Sequence, residues 1–313
     1  MPTLLLSAFS LRISCAWRVL QLGQRVTLSS SSTSSSTASP LIRRLTGGIS
    51  RHPMSPRFEN QLRARRTVGL SIEDALAALL AKDSEQPRGE PAVAASIGAQ
   101  LEHMELDSMP TGLRRRIRDI IARVQPKRVC EVGSGIGHLS AWLFDYWDSN
   151  THPEHFDMIE AGGKFGVILT RLLRRYDAED WAHVRVGDFD SICAELDSWR
   201  AANTTTDEAA ATSSPPLRAP YEIIIVDVGD IGKVDVIQRS FDLLVPGGLI
   251  LTAEPEVPVD DVGDLPESGA LNPEQARVAA FNEWTQFITE INQTNPVGFV
   301  PLFGGTLVGI IQA

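Results

Sequence analysis

From about residue 100 onward, short apolar runs alternate with stretches of helical period. Val129 to Val132, Phe156-Asp157-Met158-Ile159-Glu160, Val184 to Val186, Tyr221 to Asp227 and Leu249-Ile250-Leu251-Thr252 read as strands. Tyr221 to Asp227 is apolar on both faces, as a central parallel strand must be. Between strands, Phe165, Ile168, Leu169, Leu172 and Leu173 recur at helical spacing with Arg171, Arg174 and Arg175 opposite them. Val234 to Leu244 predicts a further helix. Asn272-Pro273-Glu274-Gln275 opens another, to about Ile291, with asparagine as cap, proline at the first position and glutamine able to reach back. Pro246-Gly247-Gly248 reads as a turn, and Gly298 to Ile311 as two strands around Phe303-Gly304-Gly305. This alternation predicts an α/β fold: a Rossmann-like, doubly wound, mostly parallel sheet with an antiparallel C-terminal strand and helices on both faces.

The first strand runs into E-V-G-S-G-I-G-H, with glycines at 133, 135 and 137. Glycine lets a ligand press against backbone where a Cβ would collide. A dinucleotide fingerprint spaces its glycines G-x-G-x-x-G, but residue 138, where the third would stand, is histidine. Glu131 would repel a diphosphate, whereas it suits the cationic amino-acid end of S-adenosyl-L-methionine. A tight strand-to-helix turn without ligand is the alternative. Glu160 ends the second strand about twenty residues further on, where a carboxylate can accept hydrogen bonds from both ribose hydroxyls. Asp188 ends the third, and either reaches the adenine amino group or caps the helix that follows.

The succession E-V-G-S-G-I-G-H-L-S-A, I-E-A, V-R-V-G-D, I-I-I-V-D, L-L-V-P-G-G-L-I-L and A-A-F-N-E-W, ending V-P-L-F-G-G-T-L-V-G-I-I, resembles class I methyltransferases that use S-adenosyl-L-methionine. Within them it is most similar to the catechol and caffeoyl-CoA O-methyltransferase-like family. The resemblance implies that Glu131, Gly133, Ser134, Gly135 and Gly137 surround the methionine part of the cofactor and that Glu160, with Ala161 beside it, holds the ribose. It also implies that Asp188 and Phe189 lie by the adenine, that Asp227 borders the site, and that Met104 to Gly112 lids it.

The departures concern catalysis. In that family the acid ending the fourth strand binds a divalent metal and is followed three residues later by a lysine base. Here Asp227 is followed by Val228, Gly229 and Asp230, and the nearest lysine is Lys233. An Asp-Asn pair completes the family's metal shell after the fifth strand, where this chain has Ala253-Glu254. Magnesium favours octahedral oxygen coordination and lowers the pKa of a bound hydroxyl. Asp227 and Glu254, with Asp230, are therefore candidate ligands of a looser site, and Asp227 and Lys233 the candidate catalytic residues. Two functions stay open: O-methyl transfer to a small-molecule acceptor, or a catalytically inactive methyltransferase-fold scaffold in a mitochondrial RNA- or ribosome-associated assembly.

Composition divides the 313-residue chain. Residues 1–58 hold seven arginines, no lysine, no acid and the Ser/Thr-rich run Ser29 to Ser39, the description of a mitochondrial transit peptide and hence of a matrix location. A retained basic tail is the alternative. Residues 59–100 read as a helical extension, with Ser71 capping a helix whose stripe is Ile72, Leu76, Leu79 and Leu80. Residues 101–313 read as the methyltransferase domain, interrupted at 201–220 by a flexible Thr/Ala/Ser/Pro-rich insertion. Seven of the 29 basic residues belong to the leader, so 22 face 39 acids in the remainder, a net −17. Such a body repels nucleic acid except locally, at Arg114 to Arg118, a cluster read as a solvated helix face. Asp260, Asp261 and Asp264 either line a substrate mouth or keep a loop soluble. His138 either touches ligand or packs locally. No apolar run spans a membrane, three cysteines give no disulfide framework, and a homodimer remains open.

Overall fold

The computed structural model describes residues 70–203, 214–259 and 271–313. The leader, the first part of the extension, the middle of the 201–220 insertion and Asp260, Asp261 and Asp264 lie outside the described residues.

Seven strands form one sheet in the order β3-β2-β1-β4-β5-β7-β6. They are β1 (Arg128–Val132), β2 (His155–Glu160), β3 (Ala182–Val186), β4 (Tyr221–Val226), β5 (Leu244–Ala253), β6 (Val297–Leu302) and β7 (Gly305–Ile311). β1 pairs parallel with β2 and β4, β2 with β3, and β4 with β5. β7 is antiparallel to both β5 and β6, so it alone runs against the others. The central strands are apolar on both sides because both faces are covered: Ile223 and Ile225 point into one core, Ile224 and Val226 into the other. The order reverses between β1 and β4, the place at whose carboxyl ends open α/β sheets form their ligand crevice.

Helices α1 (Ile72–Leu80), α2 (Ala92–His103) and α3 (Thr111–Val124) precede the sheet. α4 (His138–Asp148), α5 (Gly163–Arg175) and α6 (Phe189–Ala202) follow the first three strands. α7 (Lys233–Phe241) joins β4 to β5, and α8 (Pro273–Ile291) joins β5 to β6. α8 carries the expected capping box between Asn272 and Gln275. No helix among the described residues is long and apolar enough to cross a membrane.

Three expectations change. Pro246-Gly247-Gly248 is no turn between elements but part of β5, which starts at Leu244; the irregularity appears as a register shift opposite Tyr221 and Ile223. On α1, Leu79 is buried and Ile72 and Leu76 pack against the core as expected, joined by Ala75 and Ala78, while Leu80 is 49% exposed. Leu79 inserts over β6 and β7, where a Cβ at Gly298 or Gly309 would stand 2.6 or 2.5 Å from its Cδ2. α1 thus docks on the sheet of its own chain. α2, unforeseen, runs across residue 100, and its Ala94, Ile97 and Leu101 join the same core.

Candidate functional site

The crevice is built on the turn between β1 and α4. Gly133, Gly135 and Gly137 have φ of 87°, 55° and 89°, a region that Cβ-bearing residues rarely enter. Each meets a different neighbour. A Cβ on Gly133 would stand 2.3 Å from the carbonyl oxygen of Asp227, and one on Gly137 2.5 Å from Leu172 Cδ2. At Gly135 no atom beyond its two chain neighbours lies within 4 Å of that position. The first and third glycines therefore let the chain cross and pack, while the second leaves bare backbone facing open space.

Two glutamates flank this turn. Glu131, on β1, is buried; its Oε2 accepts the Ser140 hydroxyl at 2.6 Å, while its Oε1 has no partner. Burial pushes its carboxyl up to about 8 against the pull of Ser140, with the nearby Asp227 and Glu160 carboxylates adding to the rise. Glu160, at the tip of β2, accepts the Gly135 amide at Oε2 and the Gly162 amide at Oε1, both at 2.7 Å. Ser134 is buried, its hydroxyl donating to the Glu131 carbonyl at 3.3 Å, and Ala161 is exposed beside Glu160. Asp188 caps α6, accepting the Ser191 amide at 3.0 Å, which is the second of the two jobs read for it. Phe189 is buried with Ile192 and Leu196 in the core beneath α6. The arrangement suits an ammonium at the unpartnered Glu131 oxygen and a diol at Glu160.

On the other side of Gly133 lies the end of β4. The Asp227 amide donates to the Val132 carbonyl at 2.9 Å, binding the two strand ends. Burial raises the Asp227 carboxyl to about 6, and the positive charges of Lys233 and Arg114 hold it from rising further. Lys233 folds back at the start of α7, although its spacing in sequence does not demand it. It is 4% exposed, and its Nζ donates to Asp230 Oδ1 at 2.7 Å and to the Ala253 carbonyl at 3.2 Å. Glu254 is half-buried, its amide donating to the Thr306 carbonyl at 2.9 Å. The divalent-metal reading fits this edge poorly. Among the described residues no three His, Cys, Asp or Glu side chains come together to hold an ion, and Asp230 is already engaged by a lysine.

The Arg114 to Arg118 reading is overturned. Arg114, Arg116 and Arg118 are 4%, 7% and 4% exposed and Arg115 is half-buried, so the cluster is mostly internal rather than a solvated helix face. Arg118 pairs with Asp119 at 2.7 Å and lies 5.4 Å from the Trp142 ring centre, and Arg116 donates to the Leu79 carbonyl. Arg114 reaches Glu90 at 3.0 Å. Glu90, in the loop before α2, also meets His138 Nε2 at 3.1 Å and Trp142 Nε1 at 3.3 Å, so one nitrogen of His138 is bonded within the protein, while its Nδ1 is buried without a partner. Burial and Arg114 together hold the His138 imidazole below its usual pKa. Nothing in P-R-G-E-P marks Glu90 in the sequence; its importance comes from three partners on two distant helices.

No family model and no curated protein matches this sequence. Solved structures do match in fold. A candidate caffeoyl-CoA O-methyltransferase from Staphylococcus aureus aligns with 71% of this chain and 93% of its own, at 15% identity and a TM-score of 0.53. Cofactor-bound Rv0187 from MTB aligns with 77% of this chain and 95% of its own, at 16% identity and a TM-score of 0.50. The fold is that of the class I methyltransferases, as the sequence pattern implied.

Proposed function

We propose that this chain is a methyltransferase that uses S-adenosyl-L-methionine and acts in the mitochondrial matrix on the oxygen of a small-molecule acceptor. One observation carries the reading: the bare backbone at Gly135 lies between a buried glutamate oxygen without a partner and a glutamate fixed at the next strand tip. A closed structural turn would fill that space and satisfy that oxygen. The composition of residues 1–58 supports the location.

In this reading Glu131 pairs with the cofactor's ammonium and Glu160 with its ribose hydroxyls, while the Gly133 to Gly137 turn lets the methionine part approach the backbone. When bound, S-adenosyl-L-methionine supplies a methyl carbon on a cationic sulfur, which keeps the electron pair of the broken carbon–sulfur bond. Asp227 takes the proton of the acceptor hydroxyl, because a carboxylate raised to about 6 is ionised at neutral pH yet basic enough to accept it. The acceptor oxygen then forms the new bond to carbon. Alignment supplies most of the rate in such a transfer.

The scaffold alternative rests on the altered lysine and Asp-Asn positions alone. Thermal denaturation with increasing S-adenosyl-L-methionine separates the two. A cofactor site gives a rising Tm, worth about 2.7 kcal/mol at a hundredfold excess over Kd, whereas a scaffold gives a Tm that does not move.

A further inference from the structure

We propose that Lys233 is the resident cation of the β4–β5 edge, standing where related folds place a divalent metal, and that the site works without one. The family resemblance puts metal ligands at the end of β4 and just after β5. In this chain those two places are spanned by a lysine. Its Nζ is bonded to Asp230 Oδ1 at 2.7 Å, three residues beyond Asp227, and to the carbonyl of Ala253, the last residue of β5, at 3.2 Å. The side chain is 5% exposed, so its charge is held in place rather than waving in solvent. It acts on Asp227 electrostatically, as an ion in that place would.

The local backbone is made for this. Gly232, with φ of 77°, turns the chain sharply into α7, so that its first residue, Lys233, reaches back under the strand ends. An ammonium buried against a carboxylate and a carbonyl competes directly with a hard cation, which wants the same oxygens. Two of its three hydrogens are committed, so the edge offers an acceptor a single donor rather than the two-point grip of a chelating ion. The last point rests on the methyltransferase reading; the displacement of metal does not.

The test is a titration of the purified full chain with Mn2+, followed by electron paramagnetic resonance without cofactor. Wild-type protein is expected to leave the ion free at millimolar concentrations. Lys233→Ala, which uncovers the Asp230 and Ala253 oxygens, is expected to gain a Mn2+ site, and Lys233→Ala with Asp230→Asn to lose it again. Lys233→Met, which keeps the length of the stem, repeats the first substitution if the alanine variant does not fold. Specific Mn2+ binding by wild type that Asp227→Asn abolishes would overturn the proposal, as would folded Lys233 variants that ignore the ion. Cofactor binding is measured separately, so its failure would refute the methyltransferase reading and leave this result intact.

Discussion

The carboxylate of Glu160 accepts the amide of Gly135 at 2.7 Å, tying the tip of β2 to the glycine turn after β1. The same side chain holds the Gly162 amide at the start of α5. One acid thus fixes both the turn and the next helix, and under the proposed function that preorganisation would spare a bound cofactor the cost of ordering the loop.

Replacing Glu160 by glutamine keeps the shape but removes a charged acceptor, whose hydrogen bonds contribute about 1.5–3 kcal/mol each. Cofactor affinity should fall by roughly ten- to a hundredfold, and Tm should fall as well, because the glutamine NH2 cannot accept from one of the two backbone amides that Glu160 holds. Isothermal calorimetry and a melting curve on the same sample read both quantities.

The three glycines should separate folding from binding. Gly133→Ala places a methyl 2.3 Å from the Asp227 carbonyl at a φ of 87°, so the loop or β4 must move and Tm should drop markedly. Gly135→Ala meets nothing within 4 Å, so it should cost only the roughly 1–2 kcal/mol of a left-handed alanine. Cofactor binding, however, should be lost in Gly135→Ala, because the new methyl fills the cleft.

Glu131 gives a pH signature. Its carboxyl rises from 4.5 to about 8 in the folded protein. A raised acid contributes stability that is full below the unfolded value and is lost as pH rises through the folded one, so the ligand-free protein should weaken between about pH 4.5 and 8. Glu131→Gln should flatten that part of the profile. At pH 7 the wild-type carboxyl is mostly protonated, so pairing with an ammonium should release close to one proton. Calorimetry in buffers of different ionisation enthalpy measures it, and the Glu131→Gln variant should release none.

The arginines of α3 should behave as core residues. Arg118→Ala strips Asp119 of its buried partner and uncovers the Trp142 ring, and breaking such a pair costs about 3–5 kcal/mol. Denaturant unfolding checks it, and a change of that size argues for packing over any role in nucleic-acid contact.

How much of this was legible depended on whether the signal was local. The β4 run I-I-I-V and the Asn272 to Gln275 cap are decided by adjacent residues, and they appear where the sequence predicts them. Glu131 and the glycine turn were likewise readable, because a strand end, an acid and glycines follow one another in sequence. Helix α2 escaped because A-V-A-A-S-I-G-A-Q-L-E-H has little polar contrast between its faces. The α3 arginines misled because their partners, Glu90, Pro87 and Leu79, lie in other parts of the fold. Lys233 was visible as a residue, but only the turn at Gly232 shows that it reaches Asp230 and Ala253.

Titration of the wild-type protein with S-adenosylhomocysteine, the demethylated cofactor, by isothermal calorimetry bears most directly on the central claim. Saturable binding at one site per chain, weakened tenfold or more by Glu160→Gln, is the expected result. Heats no greater than dilution for correctly folded wild-type protein would contradict it, and would leave the fold without the proposed cofactor.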